Sequence, residues 1–255
     1  MNLAMNILAA QLGKTHLFSL GQAGYVIKSA GGQLLGIDMY LSNCVERAEG
    51  HMGFKRLLPQ ILASGELEFD CIVATHPHYD HFDRDAIPEL LENGKTRLYA
   101  SVNCEKEMKE LQISDSNTTY VKVGDKFMDG DFVLEFVPCD HGAGAPDAVG
   151  VIVTVDNKKI YEAGDTCLRL DRIEEYKKKG PFDVLIAPIN GAYGNLNERE
   201  CAKLSGELRP RITVPCHYGM FASHGGNPGL FYDIMSKEYH ENQVLLMRQG
   251  EEFSI

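Results

Sequence analysis

The chain has 255 residues, of which 44% are hydrophobic and 24% charged, enough to bury a sizeable core in one large domain of an ordinary globular protein. Its formal net charge of −11 and its single basic run, at residues 177–179, exclude the clustered positive surface that nucleic-acid binding requires. No segment reaches the roughly eighteen apolar residues of a membrane-spanning helix, so we expect no membrane partner.

The first half of the chain is predicted to alternate helices and strands. Its apolar start, residues 1–12, lacks a basic region and is interrupted by polar residues, which favours a short docked helix over a signal peptide. Asp83 is predicted to be a helix N-cap. The other predicted elements of this half are a hairpin, a helix, a strand and a second helix, at residues 25–28 with 34–38, 54–63, 71–75 and 84–92.

The second half is predicted to contain more strands than helices. Strands are predicted at residues 98–100, 120–123, 132–137, 149–155, 159–162, 184–187, 212–214 and 244–247. Helices are predicted at residues 168–177, 198–208 and 228–235. Because no linker or low-complexity tract interrupts the pattern, we expect one domain over residues 1–255, in which sheet layers are covered by helices and residues 1–20 form a helical lead-in.

Four metal-ligand side chains lie within six residues directly after the predicted strand at 71–75. In an extended chain, side chains two residues apart project to the same face, so His76 and His78 can share one ion. Asp80 and His81 lie on the loop that leads to the next helix, beside the first pair. This spacing predicts a metal site with room for a second ion.

Further candidate ligands lie at the ends of other predicted strands. Asp38 closes one strand, and His141, Asp165 and His217 follow three others. Sites in layered α/β proteins collect at strand ends, where loops present side chains from a rigid scaffold. Singly, each of these residues is most often structural, but together with residues 76–81 they form a constellation.

The order of these residues resembles the metallo-β-lactamase superfamily of binuclear hydrolases over about residues 21–220. The resemblance rests on the His-x-His-x-Asp-His element at 76–81, on Gly164-Asp165-Thr166, and on Asp38, His141 and His217. It implies an α/β fold, the αβ/βα four-layer sandwich with metals at one edge. It also implies an ion on His76, His78 and His141, a second ion on Asp80, His81 and His217, Asp165 as the bridge, and Asp38 as an orienting residue outside the ligand set.

Within that superfamily, segments 74–83 and 214–221 and the stretch from Tyr161 to Gly191 are similar to the L-ascorbate-6-phosphate lactonase group. That resemblance implies a small, anionic, phosphorylated lactone as substrate and a homo-oligomer. The expected cofactors are two divalent ions, Mn²⁺ or Zn²⁺, and the expected reaction is attack of a metal-bound hydroxide on the ring ester. Asp80 and Asp165 are the expected catalytic carboxylates, because Asp80 can orient the nucleophile or carry its proton.

Candidate substrate contacts lie in two loops. Asn190 and Tyr193 belong to a glycine-rich loop that could face the metals or an anionic group, although a plain turn is an equal interpretation. His224 could hold a phosphate, although a surface histidine is the commoner case. Lys55 and Arg56, as residues of the predicted helix 54–63, are interpreted as a solvated face.

Two further motifs are interpreted as structural. Gly142-Ala143-Gly144 precedes a predicted strand, whereas a dinucleotide fingerprint must open a helix, so no NAD site is expected. The seven cysteines lack the paired spacing of a disulfide framework and favour a reducing cytoplasm. Three of them, Cys139, Cys167 and Cys216, lie near candidate ligands and are interpreted as small buried hydrophobes.

Two other functions stay open at this point. A phosphodiesterase of the same fold would use the same ligands on a nucleotide or lipid headgroup. The other alternative is a non-hydrolytic protein, either a metal-binding structural module or a di-iron redox protein. A di-iron oxidoreductase of this fold would normally have a carboxylate where His78 stands and a flavin partner domain.

Overall fold

Two seven-stranded mixed sheets form the centre of the structure. This computed structural model describes residues 2–255, so the first residue of the predicted domain lies outside the described residues. The first sheet contains β1 His16–Gly21, β2 Gly24–Lys28, β3 Leu34–Ile37, β4 Cys71–Ala74, β5 Arg97–Ser101, β6 Thr118–Val121 and β14 Glu252–Ser254. The second contains β7 Lys126–Asp129, β8 Phe132–Pro138, β9 Val149–Val155, β10 Lys158–Glu162, β11 Val184–Pro188, β12 Ile212–Cys216 and β13 Gln243–Val244.

Each sheet is half antiparallel and half parallel. The order of the first sheet is β14-β1-β2-β3-β4-β5-β6, and its strands from β3 onward pair in parallel. The order of the second is β13-β12-β11-β10-β9-β8-β7, with parallel pairs from β10 to β13. Parallel strands place their carboxyl ends at one edge of a sheet. The loops that follow β3 and β4, and those that follow β10 and β12, therefore meet at corresponding edges.

Within residues 2–255, seven α-helices accompany the sheets. They are α1 Leu3–Ala9, α2 Cys44–Glu49, α3 Ala86–Leu91, α4 Glu105–Glu110, α5 Ile173–Lys179, α6 Glu198–Leu208 and α7 Pro228–Glu238. Helices α1, α3 and α4 bury apolar residues against the outer face of the first sheet, and α5, α6 and α7 do so against the second. Among the described residues, none of these helices has the length and apolar character needed to span a membrane.

The inner faces of the two sheets share one apolar core. Strand β4 illustrates the packing: Cys71 and Val73 point into the core between the sheets, whereas Ile72 and Ala74 point to the helices outside. Because both faces of such a strand are covered, its sequence is continuously apolar rather than alternating. The predicted four-layer αβ/βα sandwich is therefore confirmed.

The carboxylate of Asp83 joins the loops that carry the candidate site. It accepts hydrogen bonds from the amides of Asp85 and Ala86 at the start of α3, as a helix-capping residue does. It also accepts from the amides of Leu41 and Ser42, in the loop after β3. One side chain thus caps a helix and holds two site loops together.

The predicted helix at 54–63 is wrong. This segment is irregular, since Pro59 cannot donate a backbone hydrogen bond and its ring disfavours a helix interior. The guanidinium of Arg56 instead donates to the carbonyl oxygens of Ser42 and Leu58 and lies over the Tyr40 ring.

Other differences are smaller. The lead-in 1–20 contains β1 as well as a helix, so it is part of the first sheet and not a helical extension. The predicted helix 168–177 begins later, after a 3₁₀ turn at Leu170–Arg172, and the predicted strand 244–247 shortens to β13. The sequence interpretation also missed α2, α4, β1, β7 and β14. These elements are short, between three and six residues, and too short to show a clear period.

Candidate functional site

The candidate site is assembled at the carboxyl ends of strands from both sheets. Asp38 follows β3 and residues 76–81 follow β4, so the first sheet contributes these side chains. The second sheet contributes His141 after β8, Asp165 after β10 and His217 after β12. The structure therefore brings all seven sequence-predicted ligands and Asp38 to one edge of the sandwich.

Three imidazoles form the first cluster. His76 Nε2 lies 3.0 Å from His78 Nδ1, and His141 Nε2 lies 3.1 Å from the same atom. His76 and His141 are buried, whereas His78 is exposed to the cavity above the cluster. Three ring nitrogens that converge in this way can bind one ion.

Two imidazoles and two carboxylates form the second cluster. His217 Nε2 lies 3.3 Å from Asp80 Oδ2 and 3.1 Å from Asp165 Oδ2. His81 Nε2 lies 3.4 Å from Asp165 Oδ1 and 3.3 Å from His217 Nε2. Asp165 Oδ2 is also 3.7 Å from His141 Nε2, so this carboxylate lies between the two clusters, within reach of both.

Asp38 orients the rings without facing the cavity. His81 Nδ1 donates to Asp38 Oδ2 over 2.7 Å, which turns His81 Nε2 toward the second cluster. Thr75 donates its hydroxyl to the same oxygen over 2.6 Å, and its Oγ1 lies 3.0 Å from His76 Nδ1. Outer carboxylates of this kind fix the tautomer and direction of ligating histidines.

The pKa values divide the five imidazoles into two groups. Burial lowers the pKa values of His76 and His78, and it lowers that of His141 to about 4, so these rings are neutral near pH 7, the form that binds metals. Burial also opposes the charged form of His81 and His217, but Asp165 and Asp80 outweigh it. These carboxylates raise the pKa of His81 well above its usual value and that of His217 to about 9.

The donor set fits divalent metal ions. Asp38, Asp80 and Asp165 are buried, and among residues 2–255 none of them forms an ion pair with a lysine or arginine. Buried carboxylates need a compensating charge, which here comes from protons on His81 and His217. A cation bound among the same nitrogens and oxygens would replace those protons. Imidazole suits zinc, and the carboxylate share also suits manganese.

Sequence reasoning missed Gln22. This buried residue lies in the turn between β1 and β2, and its Nε2 donates to Asp80 Oδ2 over 2.8 Å. The same nitrogen lies 3.1 Å from His224 Nδ1, and the backbone amide of His217 donates to the Gln22 carbonyl oxygen. The signal that could have found this turn is the Gly21-Gln22-Ala23-Gly24 sequence between two apolar runs.

Several site residues have left-handed backbones. The φ angles are +54° at Gln22, +45° at Asp38, +55° at Tyr193 and +63° at His217. Non-glycine residues adopt this region at a cost of about 1–3 kcal/mol and persist there when the surrounding structure holds them. Half of the eight such residues in the described chain therefore belong to the site or its cavity.

A cavity of about 560 Å³ opens above the two clusters. Its floor includes His78, Asp80, His141 and Asp165. A volume of this size accommodates a small organic molecule. The cavity therefore gives a substrate access to the side chains of both clusters.

The predicted substrate contacts have different positions relative to this cavity. Tyr193 is 58% exposed and lines it, and His224 is buried and also lines it. Asn190 is buried, accepts a hydrogen bond from Asn195 Nδ2 over 3.1 Å and does not line the cavity. The structure therefore places Asn190 in support of the loop that carries Tyr193.

The remaining sequence candidates lie away from the clusters or support them. Lys55 pairs with Glu46 over 3.0 Å on the surface. Gly142–Gly144 forms a 3₁₀ turn beside His141. Cys139 is buried, its thiol donates to the Asp165 carbonyl oxygen, and burial raises its pKa well above the usual value, which makes it a poor thiolate ligand.

Comparison with known proteins identifies the family. The Beta-lactamase superfamily domain matches residues 21–218. The UPF0173 metal-dependent hydrolase of Thermococcus kodakarensis is 29% identical over 241 residues, which cover 92% of this chain and 97% of the relative. Igni18, a metallo hydrolase from Ignicoccus hospitalis, superposes with a TM-score of 0.75 at 20% identity, covering 95% of this chain and 98% of that one.

A second solved structure has the same fold and a named substrate class. The isothiocyanate hydrolase from Delia radicum gut bacteria superposes with a TM-score of 0.72 at 18% identity, covering 94% of this chain and 98% of that one. At such identities the two solved structures show a common fold and not a common substrate. The family match spans the residues from the β1–β2 turn to the His217 loop, so the chain belongs to the beta-lactamase superfamily and has the metallo-β-lactamase fold.

Proposed function

We propose that the protein is a metal-dependent hydrolase that opens a lactone or a related ester. The observation that carries the proposal is the convergence of two ligand clusters on opposite sides of Asp165 at the floor of an open cavity. The relatives named metal-dependent hydrolases support hydrolysis as the reaction class. The specific substrate is part of this proposal.

The two clusters would each hold one divalent ion, manganese or zinc. His76, His78 and His141 are the proposed ligands of one ion, and the second-cluster residues are those of the other, with Asp165 between them. Bound ions would lower the pKa of water toward neutrality and polarise a carbonyl oxygen, a contribution of roughly several kcal/mol.

Asp80 is the proposed proton carrier. Its carboxylate lines the cavity, and Gln22 Nε2 holds Oδ2 by a hydrogen bond of 2.8 Å. Burial would raise the pKa of Asp80, but His81 and His217 lower it well below the usual value, so the group is ionised and offers a hydrogen-bond acceptor to water. We propose that it orients the attacking water and carries its proton to the leaving alkoxide.

L-ascorbate 6-phosphate is the specific substrate that the sequence resemblance suggested. Lys106, on α4, is the one lysine or arginine among the described residues that line the cavity, and it is the cationic side chain that a phosphate could contact there. The proposed homo-oligomer and cytoplasmic location rest on the sequence resemblance and on the cysteine content.

The test uses protein stripped of metal and reloaded with manganese or zinc. We expect hydrolysis of γ-butyrolactone or L-ascorbate 6-phosphate after reloading, and a loss of at least a hundredfold in His78→Ala and Asp165→Ala. His240→Ala, at a histidine outside the ligand clusters, is the matched control. Equal activity after exhaustive metal removal would refute the proposal. Turnover of bis(4-nitrophenyl) phosphate with no lactone hydrolysis would instead identify a phosphodiesterase.

A further inference from the structure

The cavity above the clusters has two unlike walls. One wall, built by α2 and the segment after it together with the loop at 190–195, presents Val45, Met52, Phe54 and Tyr193. A second wall, built by α4 and the turn before it, presents Asn103, Lys106 and Glu107, and Glu49 at the end of α2 adds another carboxylate. A ligand that fills the cavity must therefore contact both an apolar surface and charged side chains.

The apolar wall is organised around Phe54. Its ring centroid lies 5.7 Å from that of Tyr193, 5.3 Å from that of His224 and 5.8 Å from that of Phe221. Phe221 and His224 are buried and hold the cluster on the protein side. Aromatic pairs at these separations are stabilising and keep the wall in place.

Apolar side chains are nevertheless exposed at the mouth of this wall. Met52 is 55% exposed and Tyr193 is 58% exposed, and both line the cavity. Exposed apolar side chains clustered at a concave site are typical of ligand binding. No side chain of the described protein covers these residues, so an apolar group of a ligand could be buried against this wall.

The charges around the cavity do not favour an anionic substrate. Glu49 and Glu107 line it together with the carboxylates of Asp80 and Asp165. Lys106 is the one lysine or arginine among the described lining residues, and its Nζ lies 3.6 Å from Glu110 Oε1. The nearby Arg84 does not line the cavity and already pairs with Glu107 and Glu110, each over 3.2 Å. The proposed ions would balance Asp80 and Asp165, so a phosphate dianion placed away from those ions would face two carboxylates, Glu49 and Glu107, and one ammonium, Lys106.

We infer that the substrate is a neutral lactone or ester that carries an alkyl or aryl arm, and that this arm packs on the Phe54–Tyr193 wall while the ester group lies over the ligand clusters. The inference rests on the proposed function and narrows it. A lactone ring alone would leave the apolar wall uncovered, whereas an arm of several carbons would cover it. A phosphorylated sugar lactone therefore fits this cavity less well than a neutral lactone with an apolar arm.

The first experiment compares lactones that differ only in the length of the arm. With metal-loaded protein, kcat/KM should increase about two- to fourfold per methylene from γ-butyrolactone through γ-hexalactone to γ-nonalactone, as expected for burial of alkyl groups. L-ascorbate 6-phosphate should be hydrolysed more slowly than γ-nonalactone. Phe54→Ala and Tyr193→Ala should each lower kcat/KM for γ-nonalactone by about tenfold and change that for γ-butyrolactone by less than about threefold.

The second experiment measures binding without catalysis. The ketone 3-pentylcyclopentanone is the carbon isostere of γ-nonalactone and cannot be hydrolysed. Calorimetry with metal-stripped protein should show that it binds at least tenfold more tightly than cyclopentanone, and that Tyr193→Ala reduces the difference by about tenfold. Because Tyr193 is exposed, this variant should keep its fold, which circular dichroism can check. Leu57→Ala is the matched control, since Leu57 is 58% exposed and does not line the cavity.

The outcomes separate this inference from the proposed function. Lactone hydrolysis that does not depend on arm length, or a higher kcat/KM for L-ascorbate 6-phosphate than for γ-nonalactone, would overturn the inference and leave the hydrolase in place. Preferential binding of 3-pentylcyclopentanone by a protein that hydrolyses no lactone would support the apolar wall and overturn the proposed function. Equal binding of both ketones would overturn the inference.

Discussion

At the scale of single residues, the site depends on hydrogen bonds that its sequence motif does not reveal. The motif at residues 76–81 and the strand-end residues were predictable, because metal ligands have a narrow choice of side chains and a fixed spacing. Gln22 was not predicted, since glutamine is common on surfaces and its role depends on a strand, β1, that the sequence interpretation missed. Predicting ligands is thus easier than predicting what orients them.

Gln22→Leu tests this orienting role. The substitution keeps the approximate size of the side chain but removes the hydrogen bond to Asp80 Oδ2 and the contact with His224 Nδ1. We expect metal affinity or kcat/KM to decrease about tenfold to a hundredfold, as is typical for residues that support ligands. Gln112→Leu is the control, since Gln112 shares a positive φ and is exposed. A Gln22→Leu variant with unchanged metal affinity and unchanged kcat/KM would show that Gln22 has no such role.

Metal binding should release protons near neutral pH. The pKa of His217 is raised to about 9 and that of His81 lies well above its usual value, so both rings carry protons at pH 7.5 in the metal-free protein. Because metals bind the neutral ring, an ion entering the second cluster must displace those protons. Titration calorimetry at pH 7.5 in buffers of different ionisation enthalpy should give a release of at least one proton per chain. An apparent enthalpy independent of the buffer would contradict this expectation.

At the scale of elements, strands were predicted better than the segments that form the cavity walls. Buried strands such as β4 and β11 are continuous apolar runs with clear ends, and the sequence shows them directly. The predicted helix 54–63 failed because Pro59 and the tertiary contacts of Arg56 outweigh local helix preference. That irregular segment carries Phe54 of the proposed substrate-binding wall. The part of the site proposed to select the substrate was therefore predicted less well than the metal-ligand positions.

The docking of α1 depends on Lys28 of β2. This buried side chain donates to the carbonyl oxygens of Ile7, Leu8 and Ala10 at the end of the helix, with distances of 2.7 to 3.0 Å. Lys28→Met should leave these carbonyls without a partner and lower the free energy of unfolding by about 1–3 kcal/mol. Urea denaturation measures the change, with Lys14→Met as the exposed control. Equal losses in both variants would refute a specific role for Lys28.

At the scale of the whole molecule, the sandwich brings together residues that are far apart in the sequence. Asp38 and residues 76–81 come from the first sheet, whereas His141, Asp165 and His217 come from the second, so the candidate metal centre joins the two sheets at their shared edge. Fold and ligand set were predictable together because the family resemblance contains both. The substrate was not, because a shared fold carries many chemistries and loops determine the cavity.

The most direct test of this account is the metal content of the purified chain after equilibration with excess zinc or manganese and removal of free ions. Inductively coupled plasma mass spectrometry should find two metal ions per chain in the unaltered protein and about one in His141→Ala or His217→Ala. The metal content of Asp165→Ala should be low, because Asp165 lies between both clusters. If the protein keeps its fold and its reduced cysteines but binds no metal under these conditions, the claim that the two clusters form a metal centre is contradicted.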